Sequence, residues 1–490
     1  MLRAEWTKLR TLPGSMIALL VAITLTVAFG LLTAAGTHTS CLGGPCPDPP
    51  VGPDGQVVTD SFSFAHRPLD GDGTLTARVT SMTGIITYPP PHNDEIVNEM
   101  VPWAKAGLMI KDGTKPGSPY ASVLLTAAHG VRMQHNFTGD AAGPPGARWL
   151  RLDRKGETIT GYASADGTSW TKISAVRLDG LPRQVQIGLF VASPSNVTAE
   201  ANGRGGRVVK ARFTQATAVF DEVGPGGGWT YDGVGRTGDG TDWEKFHQPP
   251  GMRESGGSLT ISGSGDIAPA GREAGPPLEQ TVAGLFAALF VVIVVAAMFI
   301  TAEYRRGLIR TTLIATPRRH RTVVAKAGVM FAATFVTGLI AALLTLPVSL
   351  RLLRAGGTFI APVGFGVGLR IVVGCGLVLS LAALLAYGMG VVLRRGIAAM
   401  ACAVLLVVVP HMLATTSVVP DEAARWLLRV TPAAGFAILQ SIPAYAQVQY
   451  PYAPADGYFP LAPWAGLGVT ALWATAFVAL GVVRIRRGDA

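Results

Sequence analysis

Residues 281–322 read TVAGLFAALFVVIVVAAMFITA and then EYRRGLIRTTLIATPRRHRT. The first part, Thr281 to Ala302, runs for 22 residues without a charge, and the second, Glu303 to Thr322, holds six arginines. A bilayer core of roughly 30 Å takes about 20 apolar residues of helix to cross. The junction therefore reads as a membrane span meeting water. Nucleic acid, lipid and a partner protein are all open at first as what the arginines meet.

The rest of the chain supports the span. Of its 490 residues 49% are hydrophobic and only 15% charged, with a mean hydropathy of +0.37, which excludes an ordinary soluble protein. Six stretches are long and apolar enough, at about 15–36, 280–302, 323–349, 368–392, 397–415 and 464–483. The first exceeds a secretory signal core and lacks a clear small-residue cleavage pattern, so it reads as a retained anchor. The net charge of +10 is placed, not spread. Arg3, Lys8 and Arg10 lead the chain, Arg305 to Lys326 follow span two, Arg394 and Arg395 follow span four, and Arg484, Arg486 and Arg487 end it. All fall on one side if both termini are cytoplasmic, as the positive-inside rule expects; Arg351, Arg354 and Arg370 then face outward against it.

Residues 37–279 thus form one extracytoplasmic segment, followed later by a loop at 416–463 and a tail at 484–490. The segment is rich in Gly, Pro, Thr, Asp and Ser. In TLTARVTSM (74–82), Leu75, Ala77 and Val79 alternate with Thr76, Arg78 and Thr80, and RWLRLDRKGETITGYASADGTSWTKI (148–173) reads as a three-stranded meander. Further strands at this spacing predict an antiparallel, jelly-roll-like β-sandwich. GPGGGWTYDGVGRTGDGTDW (224–243) is either a loop of it or the start of a second sheet. The fold class is mixed: six transmembrane helices plus an all-β sandwich between helices one and two.

Chemical motifs are sparse. There is no phosphate-binding Gly-x-x-x-x-Gly-Lys-Ser/Thr loop, so no ATP hydrolysis by that route is expected from this chain. LDGDGT (69–74) starts like a calcium loop, but Ser81 stands where the bidentate glutamate belongs, and the eight histidines do not cluster; no metal site is expected. NDEIVNEM and TDWEKF hold carboxylates, but none alternate as a catalytic pair on a single strand, so hydrolase activity is not expected. Asn136 and Asn196 begin short glycosylation-type sequons. Cys41 and Cys46 could close a small ring in an oxidising compartment, whereas Cys375 and Cys402 lie in apolar runs. Trp103, Trp149 and Trp170 lie in or beside candidate strands and serve either as packing or as a sugar-stacking platform.

In 303–316, Leu308, Ile309, Thr312, Leu313 and Thr316 recur at helical spacing, with Arg306 and Arg310 one turn apart on another face, until Pro317 disfavours continuation. The leader, 1–14, is similar: Leu2, Trp6 and Leu9 share an apolar face, ringed by Arg3, Lys8 and Arg10, as in a helix lying in the headgroup plane. Orientation and contact with anionic lipid account for RRHR at 318–321 and RIRR at 484–487. They do not account for an ordered apolar face. DNA binding does not suit a loop this short, tied at both ends to a bilayer.

RAEWTKLRT, EYRRGLIRTTLIATPRR, RWLLRVTPAAGFAI and YFPLAPWAGLGV resemble ABC-transporter permeases of the second export class, in their actinobacterial form. The resemblance covers the leader and all six spans. It implies an interfacial helix at the N-terminus involving Glu5, Trp6, Lys8, Leu9 and Arg10, in a multi-pass protein of the bacterial cell membrane. It also implies a coupling helix after span two, carried by Glu303, Tyr304, Arg305, Arg306, Gly307, Arg310, Thr311 and Pro317, with Leu308, Ile309 and Leu313 as the face to be buried. The implied partners are a separate ATPase subunit, which would hold ATP and magnesium, and a second permease copy. The family's connection between spans one and two is normally short. Here WAKAGLMIKDG, the 148–173 meander and VQIGLFVAS resemble a concanavalin A-like or laminin G-like sandwich, which implies contact with a glycan or envelope component but names no ligand. A membrane-anchored glycan-binding or sensing protein is the competing reading.

Overall fold

The computed structural model describes residues 2–11, 13–40, 46–87, 96–201, 207–225, 227–235, 250–272, 275–305 and 319–487. Among them the helices are α1 (Leu2–Thr11), α2 (Pro13–Gly36), α3 (Leu285–Arg305), α4 (Arg319–Ala355), α5 (Phe365–Leu393), α6 (Gly396–Thr415), α7 (Asp421–Val430) and α8 (Pro463–Arg487). Six of these, all except α1 and α7, are long and apolar enough to cross a membrane. They are apolar all round, as a helix needs when protein covers one side and hydrocarbon the other. The helices outrun the apolar stretches: α4 continues through Arg351 and Arg354, both exposed, and α8 through Arg484 and Arg486.

α5 is the centre of the bundle, in contact with α3, α4, α6 and α8. Glycine lets α4 and α5 come close. A Cβ on Gly338 would stand 2.8 Å from the Cys375 carbonyl oxygen, and one on Gly376 2.8 Å from that of Phe335. Small residues at such crossings replace the hydrophobic drive that lipid does not supply. α5 ends at Arg394, whose left-handed backbone (φ 59°) turns its N–H back to Gly390 O. Arg370, near the start of α5, is half-buried and donates to Gln440 O.

In chain order, every described strand falls between α2 and α3, in three antiparallel sheets. A seven-stranded sheet runs Thr230–Val234, Phe62–Asp70, Gln184–Ala192, Lys105–Lys111, Tyr120–Thr126, Val131–His135, Gly139–Ala142. A nine-stranded sheet runs Thr171–Arg177, Thr158–Ser164, Trp149–Lys155, Gly73–Thr87, Arg207–Gly224, Ser258–Gly263, Gly251–Ser255, with Ile96–Val97 and Asn196–Ala201 attached. The alternation read in 74–82 is present: Leu75, Ala77 and Val79 are buried, while Thr76, Arg78 and Thr80 are not. Those three share one apolar cluster with Leu108, Ile110 and Leu189 of the other sheet, so the sheets face each other across a common core. The glycine-rich passage contributes Thr230–Val234 to the edge of the seven-stranded sheet, while Ser258–Gly263 joins the nine-stranded one.

The third sheet pairs Val58–Asp60 with Ile267–Pro269. Here Lys111, wholly buried, reaches Asp60 at 2.6 Å. Burial raises the Asp60 pKa and lowers that of Lys111, against the pull of their mutual contact. Cys46 is disulfide-bonded, while Cys41 lies outside the described residues; Cys375 and Cys402 are free.

Candidate functional site

The ends of three helices meet around one buried ammonium. Lys326, two turns into α4 and 2% exposed, donates to Glu303 Oε1 at 2.6 Å and approaches Glu5 Oε2 at 2.9 Å. Lys8 of α1 donates to the same Glu303 oxygen. Two lysines and two glutamates thus form a charge-balanced cluster, which is how buried ions are tolerated. Burial acts to lower the Lys8 pKa, but the hydrogen bond and charge of Glu303 prevail and hold it above its ordinary value. Around the cluster, Lys326 lies over the Phe299 ring at 5.3 Å and Arg394 over the Tyr304 ring at 5.6 Å. Tyr387 donates to Val323 O at 3.1 Å. A cavity of roughly 530 Å³ opens beside it between α1, α2 and α3, lined by Lys8, Gly14, Ala18, Met298 and Glu303.

The face of α1 that packs on the bundle carries charge as well as an apolar side chain. Glu5, Lys8 and Leu9, at i, i+3 and i+4, turn inward, with Leu9 fully buried. Trp6 is 46% exposed and Arg10 also faces out. Glu5 on the inner face gives Lys326 a second counter-charge. Of the expected coupling residues, Glu303 and Tyr304 close α3 and Arg305 is its last residue. Arg306, Gly307, Leu308, Ile309, Arg310, Thr311, Leu313 and Pro317 lie outside the described residues. Sequence reasoning grouped Lys326 with the loop arginines and missed its role; the available signal was a lysine already inside the apolar period of a span.

The tryptophans divide. Trp103, beside the seven-stranded sheet, is 6% exposed and stacks on His129 at 4.0 Å. Trp149 and Trp170 are half-buried on the nine-stranded side. Trp149, Arg151 and Asp153 alternate with buried Leu150 and Leu152, so they line the sheet's solvent face. There Arg78 lies 5.4 Å from the Trp149 ring and grips Asp221 through two hydrogen bonds of 2.7 and 2.5 Å. That hydrogen bonding holds Asp221 below the usual carboxylate range. Arg151 pairs with Asp153 and lies 5.5 Å from the Tyr162 ring and 5.9 Å from that of Trp170. This face can offer aromatic and charged groups to a polar ligand.

No protein-family model and no curated protein matches the chain. Among solved structures, a mutant GH43 protein from Bacillus licheniformis is similar at 13% identity and a TM-score of 0.16, over 28% of this chain and 26% of that one. The chain therefore spans about a quarter of that protein's length. SCP-B, a member of the eqolisin family of peptidases, is similar at 8% identity and a TM-score of 0.21, over 41% of this chain and 98% of its own. Scytalido-glutamic peptidase is similar at 11% identity and a TM-score of 0.21, over 42% and 98%. At TM-scores this low the likenesses assign neither a fold nor an activity.

Proposed function

We propose that the chain is the membrane-spanning subunit of an ATP-driven exporter of the second export class, moving its substrate with energy from a separate ATPase subunit. The supporting observation is the Glu5–Lys8–Glu303–Lys326 cluster, which ties α1 to the last turn of α3 and to α4 two turns in from the 306–318 connection. A thrust on that connection would be passed to two spans and the leader together. In this reading the permease works as a pair of copies in a bacterial cell membrane with its termini cytoplasmic. The strand-rich segment is an extracytoplasmic β-sandwich that captures substrate, gates the path or touches the envelope. The test is copurification: Arg306→Glu with Arg310→Glu should release an ATPase subunit that the unchanged chain retains. An unchanged chain that never retains one would sink the proposal.

A second reading is a membrane-anchored glycan-binding protein. It is favoured by the half-exposed Trp149, Tyr162 and Trp170 beside Arg78 and Arg151. A glycan array with the full chain tests it, and loss of any signal in Trp149→Ala and Trp170→Ala would locate the contact on that face.

A further inference from the structure

Far from the lysine cluster, at the end of the bundle nearer the strands, lies a second cavity of roughly 410 Å³. It opens between the first turn of α3, the last turns of α6 and the 3₁₀ turn Pro432–Leu439, and its wall is aromatic. The Phe286 ring is 4.7 Å from His411 and 4.9 Å from Phe436, and His411 is 4.4 Å from Phe436 and 6.1 Å from Phe459. Within this wall His411 Nδ1 is shielded from solvent and meets no hydrogen-bond partner. Buried polar atoms are rarely left so, and rings on several sides leave a water few further partners.

The rim is polar but its charges cancel. Arg272 pairs with Glu279 and donates to Asp456 O at 2.8 Å, while Glu279 Oε2 accepts from Ser441 Oγ at 2.5 Å. Gln440 is occupied too, donating to Ile442 O and accepting from Phe459 N–H. Among the shielded side-chain atoms of the described lining, Arg272 Nε and His411 Nδ1 are left without a hydrogen-bond partner. An ion gains little from a rim whose charges are paired, whereas an apolar body with one oxygen would give His411 Nδ1 the partner it lacks. The volume falls within the range of about 300–1,000 Å³ usual for small-ligand sites.

We propose that this cavity binds a neutral amphiphile, its hydroxyl or carbonyl oxygen on His411 Nδ1 and its hydrocarbon against Phe286, Phe436 and Phe459. A bilayer lipid without a charged headgroup and a free long-chain alcohol share this chemistry. The site stands apart from ATPase coupling, and the experiment omits any ATPase. The full chain, in phosphatidylcholine nanodiscs, is photolabelled with a diazirine derivative of hexadecanol and with the matching alkane, and the labelled peptides are identified by mass spectrometry.

Alcohol labelling should centre on peptides holding Phe286 and Phe436, and should vanish when Ala283→Trp or Ala455→Trp fills the cavity. His411→Phe should reduce alcohol labelling by about fivefold, the worth of one hydrogen bond, and leave alkane labelling unchanged. Competition by added dioleoylglycerol assigns the site to a bilayer lipid, and its failure to compete assigns it to a free amphiphile. Equal labelling in the unchanged chain and both tryptophan variants overturns the proposal. So does equal loss of alcohol and alkane labelling in His411→Phe.

Discussion

Lys326 shows what a single buried charge demands of its surroundings. Taking Glu303 away leaves that ammonium with Glu5 alone and frees Lys8. Glu303→Gln should therefore destabilise the chain by about 3–5 kcal/mol, the usual result of breaking a buried pair. Adding Lys326→Met should recover part of this, because the uncompensated charge goes too. Thermal unfolding of the full chain in detergent reads both, and a double variant weaker than the single one would refute the argument. Glu303 was visible in the sequence as an acid at the edge of a span. The burial of Glu5 and Lys326 was not, because sequence shows the sign and place of a charge but not which helix end it meets. Asp166 is a simpler case at the tip of the meander. Its Oδ1 accepts from the N–H groups of Ser169 at 2.7 Å and Thr168 at 2.8 Å, and from Ser164 Oγ at 2.9 Å. These bonds, the Ser169 one first, hold its pKa well below the usual carboxylate range. A depressed carboxylate stabilises the turn above its unfolded pKa of about 3.9, and that contribution fades as pH falls toward the folded value. Amide exchange at Thr168 and Ser169 should be faster in Asp166→Ala than in the unchanged chain at pH 7, with a gap that narrows in acid. A gap that widens in acid would contradict this sign.

Helices and strands were legible to different depths. All six long helices announce themselves by apolar length, yet α4 and α8 pass the expected limits. Apolarity marks the hydrocarbon, whereas a helix ends where its hydrogen bonds do, and arginine is a good helix former. The strands of 74–82 and 148–173 follow from alternation and turn glycines. Their partners do not: Gly73–Thr87 lies between Trp149–Lys155 and Arg207–Gly224, pairings far apart in the chain. The α4–α5 crossing was likewise hidden, because a glycine in an apolar run does not say which helix it admits. That crossing yields a contrast. Gly376→Ala puts a methyl 2.8 Å from a carbonyl oxygen, while Gly366→Ala, at the start of the same helix, meets nothing within 4 Å. The first should cost about 1–3 kcal/mol, as overpacking does, and the second should be close to neutral. Equal melting temperatures for the two variants would remove Gly376 as the reason the helices approach.

Across the whole molecule, strands and helices touch through the connection between α7 and α8. Gln447 Nε2 donates to Phe137 O at 3.2 Å and Thr138 O at 3.3 Å, where Asn136 and Phe137 hold positive φ values of 45° and 68°. Gln447→Ala should loosen this seat, so limited proteolysis within 440–452 should speed up several-fold while cleavage within the sheets is unchanged. Unaltered cleavage would mean that the seat is held elsewhere. The sequence indicated a large segment between two spans but not how its ends are tied. On the way out, Thr39 N–H donates to Gly356 O at 3.3 Å, and on the way back Arg272 stands 5.8 Å from the Tyr458 ring. Between these points Val58–Asp60 and Ile267–Pro269 are zipped together. The segment is therefore tied to the helices at its two ends and again at Gln447. Because α2 and α3 already touch, the two ends of the segment start side by side, and the strand pair carries that closeness up into the sheets.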